Sequence, residues 1–245
     1  MTVTRTASTA HGSPDADPKR VARAAGFLYL VIIALGLTGE LVVRSGIVVP
    51  GDAAATATNI LEAEGLFRFG FVADSVMLLA DIALAVLLYV LLRPVSKTLA
   101  LLAMCFRLVQ AAIIGGNLLH YHAALVALVG PAYGAAFPPD QLAAVAALSL
   151  ELHSHGYDLA LLPFGINCLL LGYLVYRSGF LPRIFGVLLA AAGVVYLVGS
   201  YTRFLFPAQV DTVAPLYVVA IVAESAMCLW LLVRGVDARK WAAAA

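Results

Sequence analysis

Polar and charged side chains interrupt two long apolar stretches that lie between Leu66 and Leu128. The first stretch carries two aspartates, and the second carries an arginine, two amides and a histidine: Asp74, Asp81, Arg107, Gln110, Asn117 and His120. A charge at the depth of a lipid bilayer costs about 2.5 kcal/mol or more, so such residues usually mark a binding site or a pathway. We therefore expect the two stretches to form a helical hairpin whose polar face is turned away from lipid.

Counting along the apolar stretches at about 1.5 Å per residue places four polar residues near the midplane of the bilayer. They are Asp81, Arg107, Asn167 and Glu224. Glu224 lies in the middle of the last apolar stretch, and an apolar setting favours the protonated form of a carboxylic acid. A neutral buried acid can form a structural hydrogen bond or donate a proton in catalysis. The candidate catalytic acids are Asp158, Glu224 and Asp74.

Helix faces predict which of these groups meet. Asp74 and Asp81 are seven residues apart and share a face, and so do Gln110 and Asn117 on the next helix. We expect Asp81 to pair with Arg107 and Asp74 to pair with Asn117. Polar contacts of this kind also fix the register of membrane helices without any other role, at about 0.6 kcal/mol each. The expected ligand-binding residues are Asp81, Arg107, Gln110, Asn117 and Glu40.

A second polar group is expected towards the outer ends of the helices, where four of the five histidines form two His-x-His pairs. The members of such a pair point apart on a helix, which argues against simple chelation. Glu151, His155 and Asp158 share one face, and a row of carboxylate, imidazole and carboxylate can bind a cation or transfer a proton. Imidazole and carboxylate groups are also common zinc and copper ligands. The candidate metal ligands are His120, His155 and Glu151, and the sequence indicates no other cofactor.

The composition requires that these residues be held by helices that cross a membrane. Of 245 residues, 63% are hydrophobic and only 12% are charged, and the mean hydropathy is +0.98. The length fits six spans of about 20 apolar residues each. The expected fold is all-α, a polytopic integral membrane bundle of six transmembrane helices. The predicted spans are Ala24–Val43, Leu66–Leu92, Thr98–Leu128, Tyr157–Tyr176, Leu181–Tyr201 and Ala214–Val233.

The remaining segments are predicted to be tails and caps. Residues 1–20 are polar and lack apolar periodicity, which is typical of a disordered tail. Residues 21–236 would form the transmembrane domain, and residues 237–245 a second tail. Residues 51–65 and 138–155 are predicted as two short helical caps that pack over the bundle at the membrane surface.

Lysine and arginine are distributed unequally between the two ends of the predicted spans. Ten lie at one end: Lys19, Arg20, Arg23, Arg93, Lys97, Arg177, Arg183, Arg234, Arg239 and Lys240. Three lie at the other: Arg44, Arg68 and Arg203. Because cytoplasmic loops are enriched in these residues, both termini are predicted to be cytoplasmic and the caps extracytoplasmic. The net charge of +1 provides no field that would attract nucleic acid.

Three stretches carry a resemblance to a known family: VVPGDAAATATNILEAEGLFRFG, LLRPVSK and YRSGFLPR. In their order and spacing they resemble a bacterial family of multi-pass membrane proteins known as domain of unknown function 4386. The similarity runs from about Arg23 to Val233, which is essentially the whole membrane part. The resemblance implies the six-span architecture and a location in the plasma membrane, and it implies no activity.

Three functions are compatible with these features. The first is a non-enzymatic or transporter-like bundle whose buried polar site holds a small ligand, a proton or an ion. The second is a small intramembrane enzyme that uses buried carboxylic acids on a lipid-soluble substrate, by analogy with membrane-embedded terpene cyclases. The third is a metal-binding protein built on the outer histidines. The expected partners are membrane lipids and a lipophilic small molecule or an ion, and the oligomeric state is left open.

Overall fold

The computed structural model describes residues 17–244, and six of its helices are long and apolar enough to cross a membrane. They are α1 (Pro18–Ile47), α2 (Glu64–Leu92), α3 (Lys97–Val129), α4 (Pro139–Ser178), α5 (Arg183–Leu205) and α6 (Tyr217–Val233). No strand occurs within this described range. The all-α prediction with six spans is confirmed. Many outward side chains are large and apolar, as contact with membrane lipid requires.

The helix boundaries follow from local chemistry. Asp17 accepts a hydrogen bond from the Lys19 amide, and Pro18 occupies the first turn, where its missing N–H has no cost. Consequently α1 begins three residues before the predicted start of the transmembrane domain, and the rest of the predicted tail, residues 1–16, lies outside the described residues. At the end of α4, Gly179 adopts the left-handed conformation (φ 72°) that commonly ends a helix.

The six spans form a closed ring. Each helix packs against the next one along the chain, and α6 returns to pack against α1. The closest approach of α1 and α6 is at Gly26, where a Cβ atom would lie 2.7 Å from the Leu232 amide nitrogen. In the α4–α5 contact, Gly172 faces Gly186 and Gly165 faces Gly193, and added Cβ atoms would touch the opposite backbone. This ring encloses an interior to which every span contributes.

The two predicted caps differ in structure. Ala53–Glu62 is a separate helix, and the Asp52 carboxylate accepts a hydrogen bond at 2.9 Å from the Ala55 amide at its start. Residues 138–155 are instead the first part of α4, which continues without a break for 40 residues, or about 60 Å. The helix continues through Gly156, whose missing side chain makes room for Asn117 of α3.

Beyond α6, the chain turns back under the bundle in a short C-terminal helix, Ala238–Ala244. The buried Trp241 side chain donates a hydrogen bond from Nε1 to the Leu91 carbonyl at 2.8 Å. The predicted tail of residues 237–245 is therefore docked onto the end of α2 over its described part.

Candidate functional site

The interior of the ring contains a polar group from each of the six spans. We call this set the inner cluster, and it consists of Tyr29, Asp81, Arg107, Gln110, Phe164, Asn167, Tyr196 and Glu224. Four of its polar side chains are at most 4% exposed: Tyr29, Asp81, Arg107 and Asn167. Charged and polar groups this deep in an apolar bundle need partners within the protein or on a ligand.

An ion pair between α2 and α3 lies at the centre of the inner cluster. Arg107 donates from Nε at 2.9 Å and from Nη2 at 2.5 Å to the same oxygen of Asp81. The Gln110 amide nitrogen donates to the other oxygen of Asp81 at 2.7 Å in the amide orientation that satisfies both groups. The predicted Asp81–Arg107 pair and the common stripe of Arg107 and Gln110 are thus confirmed.

Aromatic rings surround the Arg107 guanidinium. Its central carbon lies 5.4 Å from the centroid of Tyr29 on α1 and 5.1 Å from that of Phe164 on α4. Phe164 packs against Tyr196 of α5 at 5.2 Å between ring centroids, and the Tyr196 hydroxyl donates a hydrogen bond to Glu224 of α6. Together with the Asp81–Arg107 ion pair, these contacts link all six spans.

Three polar atoms of the inner cluster are buried and have no hydrogen-bond partner within residues 17–244. They are Arg107 Nη1, Asn167 Nδ2 and the Tyr29 hydroxyl. Two of these groups are pure donors, and the hydroxyl can donate as well. Leaving a buried donor unpaired costs about 1–3 kcal/mol, so three such atoms in one cluster are unusual.

A second set of polar residues consists of Glu40, Arg44 and Asp74, and we call it the outer cluster. It lies about 10 Å further along the helices, since Asp74 is seven residues from Asp81. Here Arg44 donates to Asp74 at 3.0 Å and to Glu40 at 2.7 Å. A π-helical turn, Gly39–Arg44, directs Arg44 towards α2, and Gly39 leaves space for the pair because a Cβ there would lie 3.2 Å from both side chains.

The predicted pairing of Asp74 with Asn117 is wrong. Asp74 pairs with Arg44, because the π-helical turn brings that arginine inward from the end of α1. Asn117 donates instead to the His153 carbonyl of α4 at 2.7 Å, and His153 Nδ1 lies 3.2 Å from the Asn117 carbonyl. Asn117 therefore joins α3 to α4 rather than α3 to α2.

In the described part of the chain, the outer histidines and acids do not come together as a group of metal ligands. Among the residues that the structure describes, no group of three or more His, Cys, Asp or Glu side chains could hold a metal ion. His120 and Glu151 are exposed, and His155 Nδ1 is bonded to the Glu151 carbonyl of its own helix. Asp158 pairs with Arg203 of α5 at 3.5 Å. The three candidate metal ligands thus lack a common point.

The three candidate catalytic acids have separate partners. Asp74 is bound to Arg44, Asp158 to Arg203 and Glu224 to Tyr196. No hydrogen bond or ion pair joins any two of these acids in the described part of the chain. Of the three, Glu224 belongs to the inner cluster.

Two tyrosines and one arginine were not found from the sequence. Tyr29 resembles a residue of the interfacial aromatic belt, although it lies 11 residues from Pro18 and thus at the depth of Arg107. The same count of depth would have selected Tyr196. By sequence, Arg44 is simply one of the few cations at the outer ends of the spans. No sequence pattern indicates the π-helical turn that directs its side chain towards α2.

Comparison with known proteins places this architecture in a family. Residues 24–235 match the family described as a domain of unknown function (DUF4386). A protein of Archaeoglobus fulgidus, described as uncharacterized, is 33% identical over 136 residues, which cover 56% of this chain and 68% of that protein. No solved structure matches the chain. The match covers all six spans and every residue of both clusters, and the chain belongs to the DUF4386 family.

Proposed function

We propose that the inner cluster is the binding site of a small, uncharged, lipophilic molecule that accepts hydrogen bonds. The observation that supports this most directly is the set of three unpartnered donors, Arg107 Nη1, Asn167 Nδ2 and the Tyr29 hydroxyl. They come from three different spans, and the Arg107 guanidinium lies beside the aromatic faces of Tyr29 and Phe164. A few polar groups among apolar and aromatic walls are typical of small-molecule sites.

The charges of the cluster favour an uncharged ligand. Arg107 is already neutralised by Asp81, to which it donates two hydrogen bonds. A carboxylate ligand would bring a further charge into the bundle without a counter-ion, which is costly in an apolar setting. A carbonyl or ether oxygen can accept from the free donors without that cost. An ester, a ketone or a quinone meets this requirement.

A second candidate function, acid catalysis on a lipophilic substrate, is favoured by the contact between Glu224 and Tyr196. Glu224 is 8% exposed, and a carboxylic acid kept neutral in such a setting can donate a proton. A bound carbonyl or alkene beside Glu224 would be the acceptor. This candidate uses the same site and adds one chemical step to binding.

The direct test compares two probes that share one acyl chain, a neutral methyl ester and the corresponding carboxylate. The full-length protein in detergent is heated with methyl oleate or with oleate, and the unfolding temperature is measured. Because a ligand stabilises the state that it binds, methyl oleate should raise this temperature and oleate should raise it less. Asn167→Leu removes one unpartnered donor and should abolish the shift. Asn117→Leu, the same change at the α3–α4 contact outside the inner cluster, should leave the shift intact.

The opposite results would exclude the proposal. A shift that is equal in Asn167→Leu and in the wild-type protein would mean that the probe binds elsewhere. A larger shift with oleate than with methyl oleate would show that the site prefers a negative charge. Conversion of a probe or of a co-purified lipid, lost in Glu224→Gln, would favour the catalytic candidate.

We also infer that the protein lies in the plasma membrane with the end rich in lysine and arginine in the cytoplasm. The unequal distribution of lysine and arginine, with ten at one end of the spans and three at the other, supports this orientation.

A further inference from the structure

At the end of the bundle that is rich in lysine and arginine, a cavity of about 630 Å³ lies outside both clusters. Its walls come from the start of α1, the turn between α4 and α5, the end of α6 and the C-terminal helix. The chemistry-bearing side chains that line it are Lys19, Trp230, Arg234, Asp237, Arg239 and Lys240. We infer that this cavity binds the phosphate group of an anionic ligand, as in the headgroup of an acidic phospholipid.

The fold constructs this cavity from segments that are distant in sequence. The close approach of α1 and α6 at Gly26 brings Lys19 beside the end of α6. Gly235, at φ 66°, turns the chain back after α6, and the Asp237 amide donates to the Phe180 carbonyl at 3.2 Å. Trp241 then fixes the C-terminal helix to α2. The cations are thus held around one space.

The charge of the cavity selects an anion. Four cations line it, against a single carboxylate. That carboxylate, Asp237, is already used in the turn, because Oδ1 accepts from the Arg239 amide at 3.1 Å and from the Lys240 amide at 3.2 Å. The Lys240 ammonium is 3.9 Å from Asp237, which is a long and solvent-exposed ion pair. Three cations therefore remain without a counter-ion from the cavity itself.

Trp230 supplies an independent observation. Its Nε1 atom is buried and has no hydrogen-bond partner in residues 17–244, and its ring packs on Phe185 at 5.3 Å. An indole N–H can only donate, so it needs an acceptor such as a phosphate oxygen. Trp230 lines the same cavity as the cations, so we infer that a phosphate held there also accepts from this donor.

The position of the cavity fits a lipid headgroup. It lies where α6 ends, between Val233 and Arg234, which is the level at which a span meets the polar region of the bilayer. Basic pockets between transmembrane helices bind acidic headgroups at this depth. The volume is within the range of sites that hold small molecules, about 300–1,000 Å³. A soluble phosphate would use the same contacts.

The experiment uses the full-length protein in nanodiscs of phosphatidylcholine mixed with phosphatidylglycerol. Native mass spectrometry measures how much phosphatidylglycerol remains bound. Arg234→Gln with Arg239→Gln should weaken retention about 30-fold, since each cation near a membrane surface contributes about 1 kcal/mol. Arg23→Gln with Lys97→Gln is the matched control, because it removes two cations from the same end but none from the cavity.

Trp230→Phe preserves charge and most of the side-chain volume, so it carries the test if the doubly substituted protein does not fold. It should weaken retention about fivefold, the effect of one hydrogen bond. Displacement of phosphatidylglycerol by an excess of inorganic phosphate would support the site and identify soluble phosphate as a ligand. Retention of the lipid in that excess would support the headgroup.

Two results would overturn the inference. Equal losses in the two doubly substituted proteins would show that phosphatidylglycerol senses only the general positive charge of this end. Unchanged retention in Arg234→Gln with Arg239→Gln, or in Trp230→Phe when the double variant does not fold, would show that the cavity does not hold the phosphate.

Discussion

Arg107 directs two of its three guanidinium nitrogens to one oxygen of Asp81 and leaves the third, Nη1, without a partner. The ion pair fixes the guanidinium between the rings of Tyr29 and Phe164. In this position the arginine both joins α2 to α3 and presents a free N–H to the interior. We propose that this one side chain combines a structural role with a role in binding.

Removing either member of this pair should be strongly destabilising. Asp81→Ala or Arg107→Ala would leave an uncompensated charge in the bundle, at a cost of about 3–5 kcal/mol. The exchange Asp81→Arg with Arg107→Asp should restore part of this stability, though not all, because the guanidinium then leaves its aromatic neighbours. Thermal denaturation and the yield of monodisperse protein in detergent measure the effect.

The exposed pair of Glu64 and Arg68 on α2 provides the control for that experiment. Their separation is only 2.6 Å, yet both are solvent-accessible and one turn apart. Glu64→Ala should cost no more than about 0.5 kcal/mol. If the exchanged Asp81–Arg107 protein were no more stable than the single variants, the pair would not act as an isolated ion pair.

The α4–α5 contact should be sensitive to a single methyl group. In Gly172→Ala the new Cβ would lie 2.7 Å from the Gly186 carbonyl oxygen and 2.8 Å from the Ala190 nitrogen. Since both contacts are backbone atoms, the helices must separate, and we expect a loss of about 1–3 kcal/mol in unfolding free energy.

Gly116 on α3 is the matched control, because a Cβ there would meet nothing within 4 Å. Gly116→Ala should be neutral or stabilising by up to about 1 kcal/mol, as alanine favours a helix more than glycine does. Equal effects of the two substitutions on the thermal unfolding temperature would contradict the close packing of α4 and α5.

The C-terminal helix should depend on Trp241 for its docking. Trp241→Phe removes the hydrogen bond to the Leu91 carbonyl and should cost about 1 kcal/mol. Trp241→Ala empties a buried position and should release residues 238–244, which hydrogen exchange would record as faster exchange. Lys240→Ala, an exposed neighbour, should change neither property, and fast exchange in that variant would mean that the helix is not anchored by the indole.

The orientation of the bundle can be tested with single cysteines in a Cys105→Ala background, where Cys168 and Cys228 are buried. Arg68→Cys should react with a membrane-impermeant maleimide in intact cells, because its end of the bundle is expected outside. Lys97→Cys should react only after the cells are opened. The reverse pattern of labelling would invert the orientation, and the cavity lined by Arg234 would then face outward.

The sequence predicts the number of spans well because apolar runs long enough to cross a bilayer are a strong signal. It also predicts the Asp81–Arg107 pair, since depth and helix face can both be counted along regular helices. Counting depth and face along the sequence fails where a helix is irregular. The π-helical turn changes the direction of Arg44 and so supplies Asp74 with a partner that no count of regular turns would give.

Prediction from sequence also fails for residues whose type suggests a more frequent role than the one they have. Tyr29 and Tyr196 are apolar enough to be assigned to a membrane interface or a core, yet both face Glu224 or Arg107. The prediction of a short cap at residues 138–155 does not foresee that it runs unbroken into α4 through Gly156, where glycine serves close packing between helices. These outcomes depend on neighbours that are distant in sequence.

The length of α4 has a consequence for the membrane itself. Its neighbour α5 ends at Leu205, and Arg203 there donates to Ser154, so the part of α4 before Ser154 rises above the top of α5. The exposed apolar side chains of Val145, Leu148 and Leu152 lie above that level. An upright molecule would hold these side chains in water, so we expect the bundle to tilt, or the leaflet beside α4 to thicken, until lipid covers them.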